Sequence, residues 1–72
     1  MKTEVFINTP FITLGQLLKE ENVISSGGQA KWFLKEVPVM VNEEHDDRRG
    51  RKLYPDDIVN VPEIGTFIVK AK

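Results

Sequence analysis

The chain contains no cysteine, and this single absence excludes a disulfide framework, a thiolate metal centre and a cysteine nucleophile. Histidine, tryptophan and tyrosine occur once each. No apolar run approaches the ~20 residues of a membrane span. At the N-terminus, Glu4 precedes an apolar stretch of only three residues, Val5-Phe6-Ile7, where a signal peptide needs about 7–15. The expectation is a cytoplasmic protein with no membrane association, and the lack of cysteine suits a reducing compartment. Charge of one sign is also missing: the net charge is −1, which argues against a generally basic coat.

What remains is patterned. The 72 residues suffice for one domain, and a chain of this size buries only about 60% of its unfolded surface. Glu43, Glu44, Asp46 and Asp47 run directly into Arg48, Arg49, Arg51 and Lys52, and six of the ten basic residues lie between Lys31 and Lys52. A local basic surface on a neutral protein is compatible with this spacing.

The hydrophobic pattern predicts two helices and a sheet. Residues 4–8 are β-prone and end at Thr9-Pro10. Thr13 with Gln16 reads as a capping box ahead of Leu14, Leu17 and Leu18, predicting a helix over about 14–21 closed by Asn22. Ser26 with Gln29 repeats the device. Ala30, Phe33, Leu34 and Val37 then form one apolar face, and Pro38 stops the helix at or before Val37. Val39 to Val41 reads as a strand, Asn42 to Lys52 as a charged loop turning at Gly50, Ile58 to Val61 as a strand, and Thr66 to Ala71 as a last one. The order is β-α-α-β-β-β. The expected architecture is α+β: two packed helices against a small, mostly antiparallel sheet, with the first and last strands paired.

Candidate binding residues cluster around the second helix. At about 100° per residue, Gly28, Lys31, Trp32 and Lys35 fall on its flank and back, away from the apolar face. Trp32 then has two readings. It stacks on a base or flanks a phosphate site beside Lys31 and Lys35, or a terminal strand or tail covers it, as is common for tryptophan. Gly27 and Gly28 follow Ser26 at the helix start, where the first N–H groups lack helical partners and the dipole favours an anion. The alternative is a Ser-Gly-Gly turn that only bends the chain. Arg48, Arg49, Arg51 and Lys52 form the strongest local charge, since arginine forks match phosphate oxygens in pairs. Their alternative is a solvated loop in which the arginines pair with the acids before them.

Metal and catalytic chemistry find no footing. His45 stands among consecutive loop acids, a spacing that does not converge ligands on an ion. No nucleophile-base pair and no phosphate-cradling loop motif is present. No metal, cofactor or enzymatic activity is expected.

The stretch from Thr13 to Val61 resembles the S-four-type RNA-binding domain. The residues that carry the likeness are Leu14, Leu17 and Leu18, then Ser25 and Ser26, Ala30 and Lys31, Val39-Met40-Val41-Asn42, and Asp57-Ile58-Val59-Asn60-Val61. Within that family, Gly27 to Leu34 and Asp47 to Pro55 are similar to the short stand-alone bacterial members called YaaA, which carry an added strand at each end. Three departures stand out. Gly27-Gly28 takes the place of a basic residue after the turn serine, Val37-Pro38 replaces a glycine, and Glu43 replaces the glycine after the strand asparagine.

The resemblance implies a complete, monomeric domain over residues 1–72, with its core motif at about 13–61. It also implies recognition of structured RNA, ribosomal RNA included. Ser26, Gly27 and Gly28 would take one phosphate on backbone donors, Lys31, Trp32 and Lys35 would line the helix flank, and Arg48, Arg49, Arg51 and Lys52 would grip from the facing loop. The rival expectation is a protein-interaction adaptor on the same fold, motivated by the near-neutral charge, the acidic half of the loop and Trp32, since Trp and Arg also mark protein hot spots.

Overall fold

The computed structural model describes residues 2–72. In chain order its elements are β1 (Lys2–Ile7), β2 (Ile12–Thr13), α1 (Leu14–Glu20), α2 (Gly27–Glu36), β3 (Met40–Val41), β4 (Glu44–His45), β5 (Lys52–Leu53), β6 (Ile58–Val61) and β7 (Gly65–Ala71). Five strands form one sheet in the order β1-β7-β6-β3-β4, and β2 with β5 forms a separate two-stranded ladder.

The α+β class, the helix pair and the paired chain ends are as the sequence predicts. β1 lies parallel to β7, with Val5 opposite Val69, while the other pairings are antiparallel. Alternation sets the two faces of the sheet. Val5, Ile7, Val41, Val59, Val61, Phe67 and Val69 point into the core, where Leu14, Leu17, Leu18, Ala30 and Leu34 of the helices meet them. Among the described residues no helix covers the opposite face, where Phe6 and Ile58 are exposed.

The first helix is built as its residues dictate. The Thr13 hydroxyl accepts from Gln16 N–H at 3.2 Å, and Gln16 Oε1 accepts from Thr13 N–H at 2.9 Å. At the other end Asn22 adopts φ 61°, its N–H donates to Lys19 O, and Val23 N–H donates to Leu18 O. This is the left-handed closure that asparagine tolerates better than most residues.

Two expectations need correction. Ser26 occupies the N-cap position of α2 without a side-chain cap. Gln29 instead reaches Ser25, accepting from both its N–H and its hydroxyl at 2.6 Å. The chain approaches α2 extended at Ser26, so the glutamine finds the donors one residue earlier. The segment Asn42 to Lys52 is also not one loop. Asn42 and Glu43 turn with φ 52° and 70°, folding β4 back on β3. Two-residue strands have too little alternation to be read from sequence.

Candidate nucleic-acid interface

The segment after β4 is laid across the start of α1. Leu14 N–H donates to Arg51 O at 2.8 Å and Gly15 N–H to Arg49 O at 2.9 Å, so loop carbonyls satisfy two donors that the helix leaves open. Thr13 pairs with Lys52 in the β2–β5 ladder. Gly15 makes this approach feasible. A Cβ there would lie 3.2 Å from Arg49 O and 3.6 Å from the Ala30 Cβ.

Asp46 organises the loop from within. It is 6% exposed and accepts from Arg48 N–H at 2.9 Å, Arg48 Nε at 3.1 Å, Arg48 Nη2 at 2.9 Å and Arg51 Nη1 at 2.7 Å. Hydrogen bonds from the Arg48 side chain, opposed by desolvation and helped by the Arg48 N–H and by Arg51, hold its carboxyl well below the usual carboxylate range. Asp46 raises Arg48 in return. The pairing of loop arginines with preceding acids therefore holds for Arg48 and Arg51, both through one carboxylate. Arg48 remains outward, with its side chain 68% exposed, against 30% for Arg51.

The same arrangement presents Arg49 to solvent beside the start of α2. Gly15 and Lys19 of α1, Gly27 of α2, and Arg49 with Gly50 border one open groove. Among the described residues, neither Arg49 nor Lys19 has an acidic partner. Lys31 is exposed one turn beyond Gly27, on the same flank by helical projection. The groove thus joins two cations, Lys19 and Arg49, to the N-terminal turn of a ten-residue helix, with Lys31 adjoining. An anionic backbone fits that chemistry.

Of the remaining candidates only Gly27 lines this groove. Ser26, Gly27 and Gly28 are exposed at the helix start. Lys52 is exposed with its ammonium 5.0 Å from the Phe11 ring centroid. Trp32 lies outside the groove and is 61% exposed. Neither a terminal strand nor the C-terminal segment covers it, which overturns that reading. Its ring borders a separate depression with Val23, Phe33 and Glu36, and Lys35 Nζ stands 5.5 Å from its centroid.

Sequence reasoning missed Gly15, Lys19 and Asp46. The first two are spaced i, i+4 on one helix face, a signal that could have paired them. Asp46 was hidden in a run of four acids whose burial no local pattern distinguishes. Among the described residues, no group of three or more candidate ligands is placed to hold a metal. No described helix is long and apolar enough to cross a membrane.

Comparison with known proteins identifies the family. The family model described as S4 domain matches residues 5–70. The probable ribosome maturation protein RlbA of Bacillus subtilis (strain 168) is 55% identical over 69 residues, covering 96% of this chain and 97% of that protein. No solved structure matches. Neither match singles out the YaaA-like members. With both helices and the loop falling within the matched span, the chain belongs to the S4-domain family.

Proposed function

We propose that this protein binds structured RNA, ribosomal RNA being the favoured ligand, by gripping phosphates in the groove between α1, α2 and the Arg49 loop. The observation that carries the reading is the meeting of Lys19, the open start of α2 at Gly27 and the unpaired Arg49 in one groove, with Lys31 adjoining. The name of the Bacillus subtilis relative, a probable ribosome maturation protein, supports a ribosomal source for the RNA. A monomeric, cytoplasmic protein is part of this proposal.

The residues divide by task. Backbone donors of Gly27 and Gly28, beside Ser26, take one phosphate. Lys19, Lys31, Arg49 and Lys52 supply mobile or forked cations. Arg48 adds the guanidinium edge that Asp46 leaves free, whereas Arg51 mainly holds the loop. Paired RNA hides its base edges in a deep groove, so such a surface reads shape more than sequence.

Affinity for a ribosomal RNA hairpin is expected to fall steeply as salt rises, through counterion release. Arg49→Ala should lower the magnitude of the salt slope by about one, leave the melting temperature unchanged, and weaken different hairpins alike, because phosphate contacts carry no direct sequence information. If Arg49→Ala and the wild type bind alike at low salt, the groove is not the RNA site. The adaptor reading then takes its place.

A further inference from the structure

We propose that Trp32 is a stacking platform for one unpaired nucleobase of the RNA whose phosphates the adjoining flank of α2 holds. The inference rests on the RNA reading above and deepens it. The preferred ligand becomes a paired RNA interrupted by a bulged or terminal unpaired base.

The exposure of the ring is the first observation. Trp32 is 61% exposed in a small domain that buries Leu14, Leu17, Leu18 and Leu34 almost completely. A large apolar ring left in water gives up burial energy that a thin core can ill spare. Solvent exposure of this ring therefore asks for a partner.

Gly28 is the second observation. Gly28 precedes Trp32 by one helical turn, and Gln29 borders the same depression as the ring, on the side toward which helical side chains lean. Gly28 does not adopt a positive φ. A Cβ there would meet nothing closer than Ser26 Oγ at 3.9 Å. Neither backbone conformation nor packing requires glycine, and alanine would favour the helix. What the missing side chain does provide is open space on the turn before Trp32.

Charge then selects the occupant. Lys35 Nζ, 5.5 Å from the ring centroid, occupies one side of the platform and can meet the phosphate of a nucleotide whose base lies on the ring. Lys31 and Lys35 continue toward the groove, so one RNA strand can pass from phosphate contacts to the stack without leaving α2. Beside the ring, the depression has Val23 and Phe33 as apolar lining and Glu36 at its margin. A carboxylate there repels a phosphate but not a base. Bases inside A-form RNA are already stacked and shielded, so only an unpaired one can reach the ring.

Trp32 is the only tryptophan, so intrinsic fluorescence reports on this site alone. The test uses three RNA hairpins of one sequence: fully paired, with a single adenine bulge, and with an abasic bulge. The adenine-bulged hairpin is expected to quench Trp32 and to bind about tenfold tighter than the other two, the size of one base–aromatic stack. Trp32→Ala should lose that preference while keeping the paired hairpin, its salt slope and the wild-type melting temperature. Trp32→Phe should restore part of the preference. Equal binding of all three hairpins without quenching overturns the inference and leaves the RNA reading standing. A lowered melting temperature in Trp32→Ala assigns the ring to the fold and also overturns it. If no hairpin binds at low salt, the inference and the RNA reading fail together. Quenching of Trp32 by a purified ribosomal protein but by none of the hairpins overturns the inference in favour of a protein partner.

Discussion

At the scale of single residues, Asp46 and Gly15 decide where Arg49 stands. Burying a carboxylate is costly unless it is paired and hydrogen-bonded, and Asp46 meets both conditions through Arg48 and Arg51. Its folded-state pKa is lowered, so its stabilisation is complete above the unfolded value of about 4. It is lost as pH falls from there through the lower folded value. Asp46→Asn should therefore melt several degrees below wild type at neutral pH. The gap should narrow only below about pH 4, as seen in thermal melts by circular dichroism. A gap that closes between neutrality and pH 5 would point to another group. Gly15→Ala sets two effects against each other. Alanine favours a helix interior by up to about 1 kcal/mol, but its Cβ would sit 3.2 Å from Arg49 O, an oxygen fixed by the Gly15 N–H itself. The expected result is a melting temperature within a few degrees of wild type with clearly weaker RNA binding, because the loop shifts while the helix persists.

At the scale of elements, the β3–β4 hairpin shows where sequence reading stops. Its two turn residues, Asn42 and Glu43, both have positive φ, a geometry that favours Asn-Gly. Asn42 also repays its place by bridging strands: its amide donates to Asp57 at 3.0 Å and its carbonyl accepts from Ile58 N–H at 2.9 Å. Glu43 has no such return and carries the strain of a side chain in left-handed space. Glu43→Gly should stabilise the protein by about 1 kcal/mol, a rise of about 4–8 °C in melting temperature for a domain of this size. The helices were legible because their faces repeat over several turns and Thr13, Gln16 and Asn22 mark their ends. The strands β2, β4 and β5 were not, since two residues cannot display a period. The same limit explains the interface. Gly27, Lys31 and Arg49 were visible as types at suggestive places, but that Arg49 faces Gly27 while Arg48 and Arg51 turn to Asp46 depends on a tertiary docking no local pattern encodes. Trp32 was legible as outward-facing, and its freedom from cover came only from where the chain ends run.

At the scale of the whole molecule, the chain ends pair in β1 and β7, at the opposite end of the sheet from β4, and this separates the strands that carry stability from the proposed binding groove. β1 contributes Val5 and Ile7 to the core and covers one edge of β7 through six paired positions. Burying two such side chains is worth about 3–6 kcal/mol, and a domain of this length is stable by only about 4–11 kcal/mol in total. The first strand is therefore close to the whole margin, although it lies outside the Thr13 to Val61 motif read from the sequence. Ile7→Ala, which empties one position without touching a loop cation, should cost about 2–5 kcal/mol. It should lower the denaturation midpoint accordingly while leaving RNA affinity unchanged at a temperature where the variant is still folded. Deleting residues 2–7 altogether should leave a chain that is largely unfolded at 37 °C, measurable as collapsed amide-shift dispersion. Retention of a cooperative melt after that deletion would show that Thr13 to Val61 folds on its own and that β1 is an accessory to the sheet. An Ile7→Ala variant that folds but loses RNA would instead place the binding surface on the sheet side, opposite to the Arg49 groove.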